Sequence, residues 1–327
     1  DFIQKFENYF PKLEKFATEI SEKVKLNNRT RYLSLCNYLN EKHQINVKDI
    51  LPEENKPFSK IFFPDKREFH LSDLLNLETK KLFAAALVAQ LEADEIIEEY
   101  LDDFSFPSDT SRKVSKVALL NYTGAAIIMP YEIFFHECVK KHRYDLELLQ
   151  STFAVSFEQV CHRVTCLNSP DPKLRGIPLH MIRVDRSGNV SKRFSLSGIE
   201  LPRLSGACPK WNVYSAFSNP GKISAAVSKM TDGEKYVCIA RTVEKGVSKY
   251  GEEKGLLSIG LGCQIKYAKD FVYADGLNLN DEKSESKIGV SCRKCDRLDC
   301  GQRAFPPDTQ NYDVNINQRG VSIFVNG

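Results

Sequence analysis

Three cysteines stand close together near the C-terminal end, spaced Cys292-x-x-Cys295-x4-Cys300. Two thiolates two residues apart can chelate one centre across a tight turn, and a third follows within easy loop reach. Arg293, Lys294, Arg297 and Arg303 lie among and beside them, and positive charge favours the thiolate form. A four-ligand site needs one more donor. Cys208 in Ala-Cys-Pro and Cys263 in Gly-Leu-Gly-Cys are the candidates, with Cys208 ranked first. Zinc and an iron–sulfur cluster both use Cys-x-x-Cys elements, so the spacing leaves the two open. Uncommitted reduced thiols are the competing reading, and the bunching argues against it. The other single cysteines, Cys36, Cys138, Cys161, Cys166 and Cys238, fall within helix-like or strand-like runs and read as buried structural thiols.

A second possible metal pattern fails on spacing. A zinc peptidase helix carries His-Glu-x-x-His, because imidazoles at i and i+4 reach one ion while the glutamate activates water. Here His136-Glu137 is followed by His142, six positions after His136, which puts the two rings on different helix faces. No protease activity is expected, and the chain reads as a non-enzyme. A third pattern lies in Asp145 to Leu167, which reads as two short helices around Ala154-Val155-Ser156, with Ser156 as cap. That is the outline of a helix-turn-helix, in which His162 and Arg163 would face DNA. Glu158 and the scarcity of basic residues on Phe157 to Thr165 favour plain helical packing instead.

The elements that must position these groups follow from patterning. With 327 residues, 42% hydrophobic and 27% charged, the chain can bury one large core or two ordinary ones. Net charge is +3, which gives little long-range pull on DNA phosphates. The longest apolar runs, Leu82 to Leu91 and Ala125 to Met129, fall short of the roughly 20 residues of a membrane span. Asp1 to Val24 lacks the basic start and apolar centre of a secretion signal, so the chain reads as a fragment of a cytoplasmic protein.

Helical patterning dominates up to about Leu167: Phe2, Phe6, Tyr9 and Phe10 open it, and Thr30 starts a second segment through Tyr32, Leu35 and Tyr38. Lys60 to Phe63 predicts a strand, and Leu71 to Leu101 a return to helix. Pro107 and Ser108 break it. A helix from Ser111 follows, and Pro130 kinks it or opens the next, while Gly124, Ala125 and Ala126 permit close approach. Beyond a boundary near Asn168 to Arg175, Ile177 to Val184 and Val190 to Leu196 flank Asp185-Arg186-Ser187-Gly188-Asn189, a hairpin signal. Tyr236 to Val243 and Leu256 to Leu261 predict further strands, and Ala225 to Met230 a helix. The expected class is α+β: a helical N-terminal domain, then an antiparallel-sheet domain with a cysteine-rich metal-binding tail.

Several strings carry a family resemblance. Asn121-Tyr122, Met129-Pro130-Tyr131, Val155 to Val160, Arg183 to Arg193, Gly206 to Val213, Gly260 to Cys263, Tyr273 to Leu277 and Gln302 to Pro307 occur in order. Together, over about Arg112 to Pro307, the sequence resembles the short-chain fatty acyl-CoA transcriptional regulators of the propionate-catabolism activator type. The resemblance implies a degenerate ImmA/IrrE peptidase-like domain followed by a sensing domain. It further implies that DNA is contacted through an N-terminal helix-turn-helix missing from this sequence. The division expected is 1–110 helical region, 111–170 ImmA/IrrE-like remainder, 171–285 antiparallel-sheet sensor and 286–327 cysteine tail. The glutamate that such peptidases place just ahead of the Asn121 segment is absent, since Val117, Ala118, Leu119 and Leu120 fill those places.

What the resemblance implies about ligands is specific. The effector would be a short-chain acyl-CoA, and the metal centre a four-iron four-sulfur (4Fe-4S) cluster held by cysteines matching Cys292, Cys295 and Cys300, with zinc as the alternative. A coenzyme A ester calls for cations at its phosphates and an apolar pocket for its tail. The helix from Ser111 to Tyr131 offers Arg112, Lys113 and Lys116 for the first, and Tyr122, Met129 and Tyr131 for the second. The bland alternative makes those cations a solvated face. A homodimer or homotetramer is expected.

Overall fold

A computed structural model describes residues 1–24, 30–53, 58–203, 206–246, 251, 255–297, 299–308, 316–317 and 322. The chain divides into two compact units. One comprises Asp1–His142, Leu146–Gly176 and Gly246–Glu253; the other comprises Arg143–Asp145, Ile177–Lys245 and Lys254–Gly327. The main break at Gly176 follows the run of helices, close to where patterning changes from period 3.6 to period 2.

The first unit opens with α1 (Phe2–Lys5), α2 (Pro11–Lys23) and α3 (Arg31–His43). A small sheet follows, of β1 (Asn46–Ile50), β2 (Lys60–Phe63) and β3 (Glu68–Ser72), in the order β1-β3-β2 with β1 parallel and β2 antiparallel to β3. Then come α4 (Leu77–Glu92), α5 (Asp94–Asp102), α6 (Asp109–Ile128) and α7 (Tyr131–Phe135), the last running into a π-helical turn at His136–Lys141. Finally α8 (Leu146–Phe153) and α9 (Phe157–Val164) complete it. The predicted helix over Leu71 to Leu101 is corrected: Leu71 belongs to β3, and Asn76 caps α4, its side chain accepting from the Thr79 amide. Pro130 opens α7 rather than kinking α6.

Two packing features hold this unit. The Phe2 ring meets Phe6, Phe104 and Phe106 with centroids 5.3 to 5.5 Å apart, closing the N-terminal segment over the loop between α5 and α6. Along α6, Gly124 lets the backbones of α4 and α6 approach so closely that a Cβ there would lie 2.8 Å from the Ala86 nitrogen. Helix α6 starts at Asp109, capped by the paired Ser108 and Ser111, and packs on α4 and α2.

The second unit is a six-stranded sheet in the order β5-β4-β8-β7-β6-β9. Its strands are β4 (Leu179–Asp185), β5 (Val190–Ser195), β6 (Ser224–Lys229), β7 (Lys235–Lys245), β8 (Gly255–Gln264) and β9 (Ser286–Lys287). All neighbours are antiparallel except β6 and β9. The β4–β5 hairpin turns where expected, with the Asp185 carboxylate accepting from the Asn189 amide at 2.9 Å and Gly188 at φ 87°. The helix predicted over Ala225 to Met230 is corrected to strand β6, registered against Lys235 to Ala240 of β7. A short helix α10 (Asn212–Ser215) follows Trp211 onto the sheet, and its core includes Ile182, Val184, Trp211, Val213, Cys238, Ile288 and Val290.

Candidate functional site

The cysteine loop follows directly from β9. Ile288 and Val290 are buried in the sheet core, and the Ile288 amide donates to the Lys229 carbonyl at 2.9 Å, so the chain enters Cys292 already anchored. Arg297 adds a second tie, its guanidinium donating to the Lys229 and Met230 carbonyls at 3.1 and 2.9 Å. Cys295 is buried, Cys292 and Cys300 are half-buried, and all ten cysteines of the chain are free thiols. Gly289 lets the loop fold tightly: a Cβ there would stand 2.9 Å from the Cys295 sulfur.

Of the two candidates for a fourth donor, geometry favours Cys208. It is buried in the sheet core, and burial raises its thiol pKa, opposed by the amides of Gly289 and Lys210, which donate to its sulfur. Cys292 and Cys295 are close enough to raise it further. Cys263 lies on β8, where burial raises it first and then Cys238 and Asp270; the tail cysteines do not enter its surroundings. Among the described residues, no three His, Cys, Asp or Glu side chains already converge as metal ligands. As a donor set the four thiols are of the kind that zinc and iron–sulfur centres use.

In the first unit the patterns distribute differently from the sequence-based expectation. Arg112 and Lys116 stand together on α6, but facing carboxylates: Arg112 reaches Glu98 at 2.6 Å and also Asp102, and Lys116 reaches Asp94 and Glu98 at 2.6 Å each. Tyr122 and Tyr131 are buried, and both flank the Arg163 guanidinium, at 6.0 and 5.6 Å from ring centroid to Cζ. Among the described residues the four form two clusters, Arg112 with Lys116 around Glu98 and Tyr122 with Tyr131 around Arg163.

Arg163 itself overturns the DNA-facing role considered for it. Its side chain is 1% exposed and forms a bidentate pair with Glu14 of α2, at 2.6 and 2.8 Å, while its Nε donates to the Met129 carbonyl at 3.0 Å. Tyr122 donates to the same carboxylate and accepts from the Phe10 amide at 3.2 Å. The two helices α8 and α9 do meet at a capping box on Ser156 and Gln159, yet the cation meant for phosphate is sealed inside. Glu14 was not foreseen; its signal is a charge within the apolar stripe Phe10, Leu13, Ala17 and Ile20. The His142 Nε2 sits 3.3 Å from a Glu137 carboxylate oxygen that also pairs with Lys141. Neither α4 nor α6 carries a histidine, and Ala84, Ala85, Ala86, Val88 and Ala89 of α4 are buried.

With this geometry in hand, comparison with known proteins gives the class: a transcription regulator with a peptidase-like frame. Residues 40–165 match the IrrE N-terminal-like domain, and residues 159–324 match the family described as short-chain fatty acyl coenzyme A regulator, C-terminal. The HTH-type transcriptional regulator RamB of Mycobacterium tuberculosis is 33% identical over 99% of this chain and 68% of its own length. The propionyl-CoA carboxylase regulator of Cereibacter sphaeroides is 38% identical over 72% of this chain and 50% of its own. A solved Mycobacterium tuberculosis transcriptional regulator superposes with a TM-score of 0.91 at 30% identity, covering 98% of this chain and 96% of that one. The chain belongs to the short-chain fatty acyl-CoA regulator family. Its relatives are transcriptional regulators, not enzymes. Among the described residues no single helix is long and apolar enough to cross a membrane.

Proposed function

We propose that this chain is the effector-sensing part of a transcriptional regulator, binding a short-chain acyl-CoA and passing the binding event to a DNA-contacting helix-turn-helix that these residues do not supply. The family match over 159–324 carries this reading. The burial of Arg163 supports the second half, since it removes the main cation from the helix-turn-helix-like segment Asp145 to Leu167. Binding shifts the chain between two arrangements that differ in affinity for effector, and through them the affinity for DNA.

The phosphates of the ester engage Arg112 and Lys116. Surface ion pairs of the kind each now makes with α5 contribute only about 0–1 kcal/mol, so a multiply charged phosphate group displaces them at small cost. Tyr122 and Tyr131 act from inside, fixing α6 and α7 through Arg163. Cys208, Cys292, Cys295 and Cys300 hold a metal centre, an iron–sulfur cluster or zinc, which would fasten the tail to the sheet. Assembly as a homodimer or homotetramer belongs to the same reading, and light scattering after gel filtration measures it.

Calorimetry with acetyl-CoA and propionyl-CoA, beside a gel shift on promoter DNA at physiological salt, tests the proposal. Saturable binding of the esters without sequence-specific DNA binding by this chain is expected, with affinity falling at least tenfold in an Arg112→Gln/Lys116→Gln variant. Tight sequence-specific DNA binding by these residues alone, or no heat with either ester, sinks it.

A further inference from the structure

Three arginines lie in or beside the cysteine loop, and they do three different things. Arg293 is on the surface, its guanidinium 4.6 Å from the Phe305 ring centroid. Arg297 ties the loop to the end of β6 through the Lys229 and Met230 carbonyls. Arg303 is 5% exposed and points back into the loop itself. Its Nη1 donates to the carbonyls of Cys292 at 2.8 Å and Phe305 at 3.3 Å, and its Nη2 to those of Cys295 at 2.8 Å and Arg297 at 2.5 Å. Its own amide donates to the Cys300 carbonyl at 3.1 Å. One residue therefore touches the backbone at all three loop cysteines.

The electrostatics of this side chain are unbalanced. Its Nε is buried and has no hydrogen-bond partner, and among the described residues no carboxylate pairs with it. Carbonyl oxygens satisfy the fork but leave the unit charge uncompensated, and a buried unpaired ion costs several kcal/mol. Metal-bound thiolates would supply a counter-charge: four of them around a divalent ion leave a net charge of about −2, which a cation held beneath the loop offsets.

We propose that Arg303 is the positioning residue of the thiol site: it folds the Cys292–Cys300 loop through its carbonyls and supplies the buried positive charge that offsets a thiolate-bound metal centre. The inference rests on the reading of the loop cysteines and Cys208 as ligands. The planar five-donor fork does the folding, which lysine cannot reproduce, whereas the charge is common to both.

The test compares the whole 327-residue chain with its Arg303→Lys, Arg303→Gln and Arg293→Gln variants. Two quantities are read: zinc affinity of the demetallated protein by chelator competition, and the midpoint potential of the anaerobically reconstituted iron–sulfur cluster. Zinc affinity should fall 10- to 100-fold in Arg303→Gln, the size of outer-shell losses, and by a similar factor in Arg303→Lys. Removing a positive charge makes an incoming electron less welcome. The Arg303→Gln potential should therefore drop by a tenfold change in the oxidised-to-reduced ratio, about 59 mV for one electron, while Arg303→Lys stays near wild type. Arg293→Gln should change neither. If Arg303→Gln fails to fold, Arg303→Lys decides alone, since equal zinc affinity there refutes the fork. Zinc affinity within twofold of wild type in both Arg303 variants, with the midpoint potential unchanged in Arg303→Gln, overturns the inference while leaving the metal centre standing. A wild-type chain that takes up neither zinc nor a cluster overturns both.

Discussion

The Arg163–Glu14 pair makes the sharpest prediction about stability, because both side chains are almost fully excluded from water, at 1% and 5% exposure. Replacing Arg163 by methionine keeps much of the volume and removes the charge. It leaves the Glu14 carboxylate with one neutral donor, Tyr122, and strips the Met129 carbonyl of its partner. Breaking a buried pair in this way costs about 3–5 kcal/mol. For a unit of this size, each kcal/mol moves the melting temperature by about 2–4 °C, so the helical transition followed by far-UV circular dichroism should fall by roughly 6–20 °C. The double variant Glu14→Leu/Arg163→Met removes both charges and should recover a large part of that loss, since replacing a buried pair by apolar groups of similar volume is often close to neutral. Had Arg163 faced solvent or DNA, its loss would change stability by no more than about 0.5 kcal/mol. A drop below about 1 kcal/mol in the single variant, or a double variant as damaged as the sum of the singles, refutes the reasoning.

Three further outcomes are expected. Anaerobically purified Cys292→Ser, Cys295→Ser, Cys300→Ser and Cys208→Ser proteins should each lose metal and melt at lower temperature, while Cys36→Ser and Cys263→Ser keep wild-type metal content; iron, zinc and acid-labile sulfide analysis decides, and loss in Cys263→Ser with retention in Cys208→Ser would reverse the assignment of the fourth ligand. Gly124→Ala should destabilise the first unit by about 1–3 kcal/mol in urea unfolding, because its Cβ meets the backbone nitrogen of Ala86 at 2.8 Å rather than a side chain able to swing away. His180 is fully buried, and burial pushes its imidazole down to about 3, below the unfolded value near 6.5. Stability from this site is therefore complete above pH 6.5 and declines as pH falls toward 3, because the unfolded chain takes up a proton that the folded one refuses; His180→Gln should flatten that limb of the stability curve.

The sequence displayed some of this and concealed the rest for identifiable physical reasons. The β4–β5 hairpin is legible because its turn residues are local. Strand β6, Ser224–Lys229, was misread since two alanines in Ser-Ala-Ala-Val-Ser-Lys carry little strand preference; pairing with β7 on one side and β9 on the other decides it. Strands β1 and β3 failed as signals for a related reason, as β1 is half-exposed and polar and takes its shape from β3, 22 residues away.

Charged residues misled in opposite directions, and the cause is common to both. A lysine or arginine is read as solvated by default, because burying a charge is costly and most chains avoid it. On that rule Arg112 and Arg163 look alike, one on each side of the Tyr122–Tyr131 pair in sequence. The structure separates them by what lies opposite in space: Arg112 meets Glu98 and Asp102 at the surface, whereas Arg163 meets Glu14, a residue 149 positions earlier. Arg303 repeats the lesson within a loop, where four carbonyls of neighbouring residues draw it inward with no acidic partner at all among the described residues. A buried arginine answered by a carboxylate reads as a structural strut, complete in itself. A buried arginine answered only by carbonyls still carries its charge, and the Arg303 guanidinium holds it against the carbonyls of Cys292 and Cys295.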